Sequence, residues 1–231
     1  MNRLSLLTVG VMLALEASAS TTTCPNATYD NYLAANFSCT SGNLAFSNFG
    51  YAPTANPSTN AIQATNIFIT PLTTDWNEGF QFSSGWFVGT PTVSQFQDSL
   101  ITYDVRTVDG GNTITDLHLF FNGSVSGTGL SNVIENYCKG GSLISCAPGQ
   151  LGQISASNPP LKLSDAATFD GVNRLSISKD IQVNTGIGPN GTASISQVVN
   201  SYSQVPEPVS YMLFSTGLVA FGLLKRKNRT L

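Results

Sequence analysis

"SLITYDVRTVDGGNTITDLHLFFNGSV", residues 99–125, decides the fold class of this chain. Residues 99–108 and 113–125 each alternate apolar and polar side chains with a period of two. That period belongs to a half-buried strand, not to a helix. Between the two runs stands the Gly-rich stretch "DGGN" (109–112). Two β-rich runs around such a turn predict a hairpin. In the second run His118, the only histidine, shares a face with Asp116 and Phe120, opposite Leu117, Leu119 and Phe121.

Working outward, the same pattern recurs. "NIFITPL" (66–72), "GFQFSSGWFVG" (79–89), "NRLSISKDIQV" (173–183) and "TASISQVV" (192–199) are further strand candidates, separated by Gly, Pro and Asn. Short helical stretches are expected at "ATYDNYLA" (27–34) and "SNVIENYC" (131–138). Strands at intervals of roughly ten residues, without a βαβ rhythm, predict an all-β sandwich or jelly roll. The domain spans residues 20–204, long enough for one sizeable core.

That domain carries five Lys and Arg against eleven Asp and Glu, a net charge of −6. Phosphate binding needs clustered cations, so a nucleic-acid partner is excluded as an expectation. Ser, Thr and Asn make up 71 of the 231 residues. Solubility therefore comes from hydroxyls and amides, while thirteen Phe, seven Tyr and two Trp argue against disorder. The four cysteines, Cys24, Cys39, Cys138 and Cys146, are even in number and all lie in the domain. In an oxidising compartment they form two disulfides, and of three pairings the local one, Cys24 with Cys39 and Cys138 with Cys146, is the most economical. Their spacing lacks a zinc-like CxxC pair, and no metal site is expected on them.

The two ends carry targeting information. Arg3, an apolar run over residues 4–15 and the small residues Ala17 and Ala19 describe a secretory signal peptide, residues 1–19, cut after Ala19. The last 27 residues read "VPEPVSYMLFSTGLVAFGLLKRKNRTL" (205–231). Residues 209–224 are uncharged and span about 24 Å as a helix, a little short of a ~30 Å hydrocarbon core. Lys225, Arg226, Lys227 and Arg229 follow as a membrane stop that stays cytoplasmic. Each proline fixes φ and biases the residue before it toward extended backbone, so "VPEP" (205–208) cannot join the helix below it.

This order of triplet, short span and basic end resembles the PEP-CTERM sorting signal, over roughly a tenth of the chain. The resemblance implies that Pro206, Glu207 and Pro208 are recognition residues. The partner it implies is exosortase, a membrane-embedded cysteine transpeptidase-like enzyme. It also implies an exopolysaccharide-producing Gram-negative bacterium, in which five Asn-x-Ser/Thr sequons carry little meaning. The precursor would be anchored transiently in the inner membrane and the domain passed to the cell surface or extracellular matrix. "CTSGNLAFSNFGY" (39–51) is similar to an opening found in other PEP-CTERM proteins, which implies a recurrent β-sandwich domain without an assigned activity. A one-residue slip in its alternation predicts a bulge at Ser47-Asn48.

Catalytic signals are sparse. A Ser-His-Asp reading of His118 has no GxSxG elbow. Asp104 and Asp116, which the hairpin would bring together, are the carboxylate pair that glycoside hydrolysis would need. Asp109, Asn112 and Asp116, or Asp75, Asn77 and Glu78, offer oxygens for calcium, yet match no EF-hand, and turns use such residues anyway. Trp76, Phe80, Phe82, Trp86 and Phe87 lie within twelve residues, as a sandwich core or as a platform for sugar rings. The expectation is a non-enzymatic envelope or matrix protein without a cofactor. A module binding exopolysaccharide comes second, and a polysaccharide-active enzyme third.

Overall fold

The computed structural model describes residues 22–74, 77–89, 93–108, 112–187 and 190–206. The expected leader, residues 207–231 of the tail, and Asp75, Trp76 and Asp109 lie outside the described residues. No helix among the described residues is long and apolar enough to cross a membrane.

In chain order the described strands begin with β1 (Thr22–Thr23), β2 (Ala27–Thr28), β3 (Ser38–Ser41), β4 (Leu44–Ala55) and β5 (Phe68–Thr74). Next come β6 (Asn77–Val88), β7 (Phe96–Thr107), β8 (Asn112–Ser126) and β9 (Leu130–Lys139). The last four are β10 (Leu151–Asn158), β11 (Ser164–Val172), β12 (Arg174–Asn184) and β13 (Thr192–Pro206). Two sheets result: seven strands in the order β1-β3-β4-β7-β12-β9-β10, and six in the order β11-β8-β13-β6-β5-β2. They pack as a β-sandwich, the all-β architecture the sequence predicts. Except for the parallel pair β1–β3, neighbouring strands run antiparallel.

The alternation of residues 99–125 is real, but the hairpin is not. β7 pairs with β4 and β12, whereas β8 pairs with β11 and β13 in the other sheet. Ile101, Tyr103 and Val105 of β7 and Leu117, Leu119 and Phe121 of β8 are all buried in one core. A short connection can fold back beside its strand or step across a sandwich, and the period of two is the same either way. Residues 131–138 are a second correction. They lie in β9, with Val133, Glu135 and Tyr137 buried and Asn132, Ile134 and Asn136 half-buried on the other face. The inward Glu135 breaks the apolar pattern and hides the strand. At 27–34 a helix does form, but only over Tyr29–Tyr32.

Rings fill the space between the sheets. Phe46 and Phe80 approach to 4.3 Å between centroids, and Tyr103, Tyr29, Tyr32 and Phe82 pack around them. Trp86 is fully buried and donates its indole N–H to Ser99 Oγ (3.0 Å). The expected bulge is present: the β4–β7 register shifts between Ser47 and Gly50. There Asn48 adopts φ 56°, a left-handed conformation that Asn tolerates better than most residues.

A cluster of polar side chains also lies inside this aromatic core. Lys179 of β12 and Glu135 of β9 are cross-strand partners, form an ion pair and are fully buried. Asn200, also fully buried, reaches them from β13 in the opposite sheet and donates its amide to Glu135 Oε1 (2.8 Å) and Oε2 (2.7 Å).

The disulfides pair locally, Cys24–Cys39 and Cys138–Cys146. The first ties the chain ahead of α1 (Tyr29–Tyr32) to β3, where Cys24 N–H also donates to Thr40 O (2.8 Å). The second closes the loop after β9, which contains a single 3₁₀ turn, Leu143–Ser145.

Candidate functional site

Three places among the described residues could meet a partner: the outer face of each sheet and the end of β13.

On the six-stranded sheet, β6 turns Phe80, Phe82 and Trp86 into the core. The core reading therefore holds for those three rings of the aromatic cluster, and Trp76 lies outside the described residues. The β6–β13 register shifts near Ser84 and Gly85, opposite Ser196, and this bulge sets Phe87 outward, 56 % exposed. Phe68 (45 %) and Phe120 (40 %) are exposed on the same face. Phe68, Ser83, Gln197 and Asn122 form one row across β5, β6, β13 and β8. The row beside it runs Thr70, Gln81, Val199 and Phe120. Phe87, Ser194 and Ser124 lie on the far side of the first row, with a hydroxyl–hydroxyl hydrogen bond of 2.9 Å between the serines. Three strand spacings across the sheet and one row along it put Phe68 and Phe120 about 16 Å apart on this face. Apolar rings interleaved with amides and hydroxyls can stack on sugar C–H faces while binding sugar hydroxyls. The alternation that predicts His118 outward also sets Phe120 outward, while Phe68 carries no signal of its own.

His118 lies further along that face. Its Nε2 is 3.3 Å from Asp116 Oδ1, which also accepts the Ser203 backbone N–H (3.0 Å). Ser201 stands opposite His118 in register, but its hydroxyl donates to Asn77 Oδ1 (3.3 Å). Asp104, the carboxylate expected beside Asp116, lies on the other sheet. Its oxygens accept from Asn48 Nδ2 (2.6 Å), an Arg174 guanidinium N–H (2.6 Å) and the Ser176 hydroxyl. The two acids thus serve separate hydrogen-bond networks, and the pairing needed for glycoside hydrolysis is not formed.

The outer face of the seven-stranded sheet is polar. Along β7 it presents Phe96, Asp98, Leu100, Thr102 and Asp104, and along β12 Arg174, Ser176, Ser178, Asp180, Gln182 and Asn184. A groove of about 730 Å³ lies at one end, lined by Phe96, Leu130, Gln182, Asn184 and Ile187 among others. At the other end a 330 Å³ hollow lies over Asp104, Arg174 and Ser176, beside Ile144 in the disulfide-closed loop. Between them Asp98 and Asp180 share a hydrogen bond. Burial first, then that bond and the Asp180 charge, push the Asp98 carboxyl up to about 7.

Of the candidate calcium ligands, Asp75 and Asp109 lie outside the described residues, while Asn77, Asp116 and Glu78 accept hydrogen bonds within the protein. Glu78 is buried; its oxygens accept the Asn43 backbone N–H (2.9 Å each), and Oε2 also the Gln204 amide (2.5 Å). Among the described residues no three His, Cys, Asp or Glu side chains are grouped to hold a metal ion.

Of the tail motif, Val205 and Pro206 are described. They pair with Thr113 and Asn112 at the end of β13, a strand flanked by β8 and β6. The sheet therefore runs two residues past the expected boundary at 204 and takes in the first two residues of the expected motif. Glu207, Pro208, the stop residues 225–229 and the cleavage residues Ala17 and Ala19 lie outside the described residues.

No family model and no curated protein matches the chain. Among solved structures it is similar to TmCBM61, determined in complex with β-1,4-galactotriose. The match has 6 % identity and a TM-score of 0.30, covering 68 % of this chain and 88 % of that one. A glycosylation-associated protein complex, Gap123, from Streptococcus agalactiae aligns with 10 % identity and a TM-score of 0.29, over 67 % of this chain and 26 % of that one. Likeness at this level carries no argument about ligand or activity.

Proposed function

We propose that the chain is an exported, non-enzymatic envelope or extracellular-matrix protein, sorted through its C-terminal motif by an exosortase-like membrane enzyme. The observation that carries the reading is the order of Pro206-Glu207-Pro208, uncharged span and basic stop, directly after a disulfide-bonded sandwich. Two disulfides point to an oxidising, extracellular or periplasmic compartment. In this reading residues 209–224 hold the precursor in the inner membrane with the domain outside. The enzyme then cuts at or beside the triplet. Changing Pro206, Glu207 and Pro208 together to Ala leaves export intact and traps full-length protein in the inner membrane. The measurement is the C-terminal mass of the mature protein, in cells with and without the enzyme. Wild-type protein that still carries residues 225–231 in enzyme-positive cells would make this an ordinary single-span protein.

A second reading concerns what the sandwich does once delivered, and the exposed rings of the six-stranded sheet favour it: that face binds polysaccharide through Phe68, Phe87 and Phe120. An aromatic contact contributes about 0.5–1.5 kcal/mol, so each change to Ala weakens binding by up to about tenfold. Affinity electrophoresis in gels containing the organism's own exopolysaccharide tests it. The wild type should be retarded and the triple Ala variant should run free. Equal retardation of both would exclude this face.

A further inference from the structure

The core polar cluster holds more than an ion pair. Lys179, Glu135 and Asn200 come from three strands and two sheets, and all three side chains are fully buried. Glu135 Oε2 accepts from both the Lys179 ammonium and the Asn200 amide, which sets amine and amide side by side on one oxygen. The Phe82 ring lies 5.8 Å from Lys179 Nζ. A hydroxyl pair, Tyr103 and Tyr202 (2.7 Å), is buried nearby. Asn200 Nδ2 also contacts His118 O (3.4 Å), while Asn200 Oδ1 is buried and accepts no hydrogen bond. As a mere salt bridge this arrangement gains little, because removing two charges from water offsets most of their attraction. It also leaves a buried amide oxygen without a hydrogen-bond donor, which costs the full desolvation of that group.

We propose that Lys179 and Asn200 join in an intramolecular isopeptide bond, with Glu135 as the general base and acid. Glu135 first takes a proton from the Lys179 ammonium. The neutral amine attacks Asn200 Cγ, forming the Nζ–Cγ bond. Charge develops on Oδ1 in the tetrahedral intermediate. As that intermediate collapses, the Cγ–Nδ2 bond breaks, and one amine proton passes to the leaving nitrogen. Ammonia takes up the proton held by Glu135 and departs as ammonium, which returns Glu135 to its carboxylate. Atoms and charge balance without an oxidant or cofactor. Burial lowers the Lys179 pKa and Glu135 opposes that, so neutral amine costs less here than in water. Three groups held together by the fold supply the proximity that the reaction needs. The product is a covalent tie between β12 of one sheet and β13 of the other.

Peptide mapping of the full chain tests this. Folded protein is isolated, checked for both disulfides, then denatured, reduced, alkylated and digested with trypsin. Trypsin cuts after Lys179 only if its amine is free. The cross-linked chain gives one peptide that starts at Leu175, runs past Asn200 and weighs one ammonia less than its sequence. Lys179→Met should lose the ammonia deficit. Glu135→Gln should restore both cleavage after Lys179 and the full mass. Folded wild type that is cut after Lys179, with both peptides at their sequence masses, overturns the proposal whatever the variants do. An ammonia deficit that persists in Glu135→Gln overturns the role given to Glu135.

Discussion

Single side chains depart from the sandwich pattern where polar groups sit close together. Asp98 and Asp180 crowd two carboxyls onto one half-buried spot of the seven-stranded sheet. Asp98 titrates near 7 in the folded protein and near 3.9 when unfolded. Between those values the folded state holds the extra proton, so stability falls as pH rises through the window. Asp98 is substantially solvated, which reduces the size of the effect but not its sign. The urea midpoint should therefore drop from pH 5 to pH 8 in the wild type. Asp98→Asn should flatten that dependence and raise the midpoint at pH 8. An unchanged slope in the variant would place the titrating group elsewhere. In the core, Phe80 touches Phe46, Phe49, Phe82, Tyr32 and Tyr103, so Phe80→Ala should cost about 3–5 kcal/mol in denaturant unfolding. A loss below about 1 kcal/mol would mean that the cavity collapses.

At the scale of elements, pairing is the property that local sequence hides. The alternation of residues 99–125 and 173–183 assigns strands and buried faces correctly, because burial of one sheet face imposes a period of two on each strand. Which strand lies beside which depends on contacts far along the chain. Hence the expected β7–β8 hairpin is a crossing between sheets. β9 escapes the pattern because Glu135 faces inward, and only Lys179 and Asn200, 44 and 65 residues away, make that tolerable. For the same reason no local signal marks this cluster or the Asp98–Asp180 pair. The disulfides are the counter-example. Cys24–Cys39 and Cys138–Cys146 close short loops, and short-range economy selects them correctly. In the chain-entropy account the first contributes about 3 kcal/mol and the second about 2.5 kcal/mol. Replacing each pair by Ser should lower denaturant stability by up to those amounts, with the larger loss for Cys24 and Cys39. A reversed order would mean that the loop at residues 139–145 is held chiefly by its disulfide, and the start of the chain by packing of Tyr29 and Tyr32.

At the scale of the whole molecule, the division into leader, sandwich and tail comes from composition, and the sandwich is the part the described residues settle. Its C-terminal limit is the least legible, because "QVVNSYSQVP" (197–206) has no Gly and no proline before the motif's own Pro206 to mark where the strand ends. The structure carries β13 on to Pro206, paired with β8 along its length and with β6 as far as Tyr202. Along the way this strand supplies Val198, Asn200 and Tyr202 to the core, all fully buried. Gln204 donates to Glu78, linking the strand's end to the start of β6. A chain of residues 20–206 should therefore fold in a periplasm without its tail, giving a β-rich far-UV spectrum and one cooperative unfolding transition. A chain stopped at residue 198 loses the lower half of a central strand. β6 and β8 are then left with unpaired backbone groups, and Tyr103 loses its hydroxyl partner Tyr202. That chain should lack the cooperative transition and be degraded. Far-UV circular dichroism and denaturant titration of the two chains decide between them. If residues 20–206 stay folded only in detergent, the sandwich depends on the segment beyond Pro206. If the shorter chain unfolds as cooperatively as the longer one, β13 is not the strand that closes the sheet.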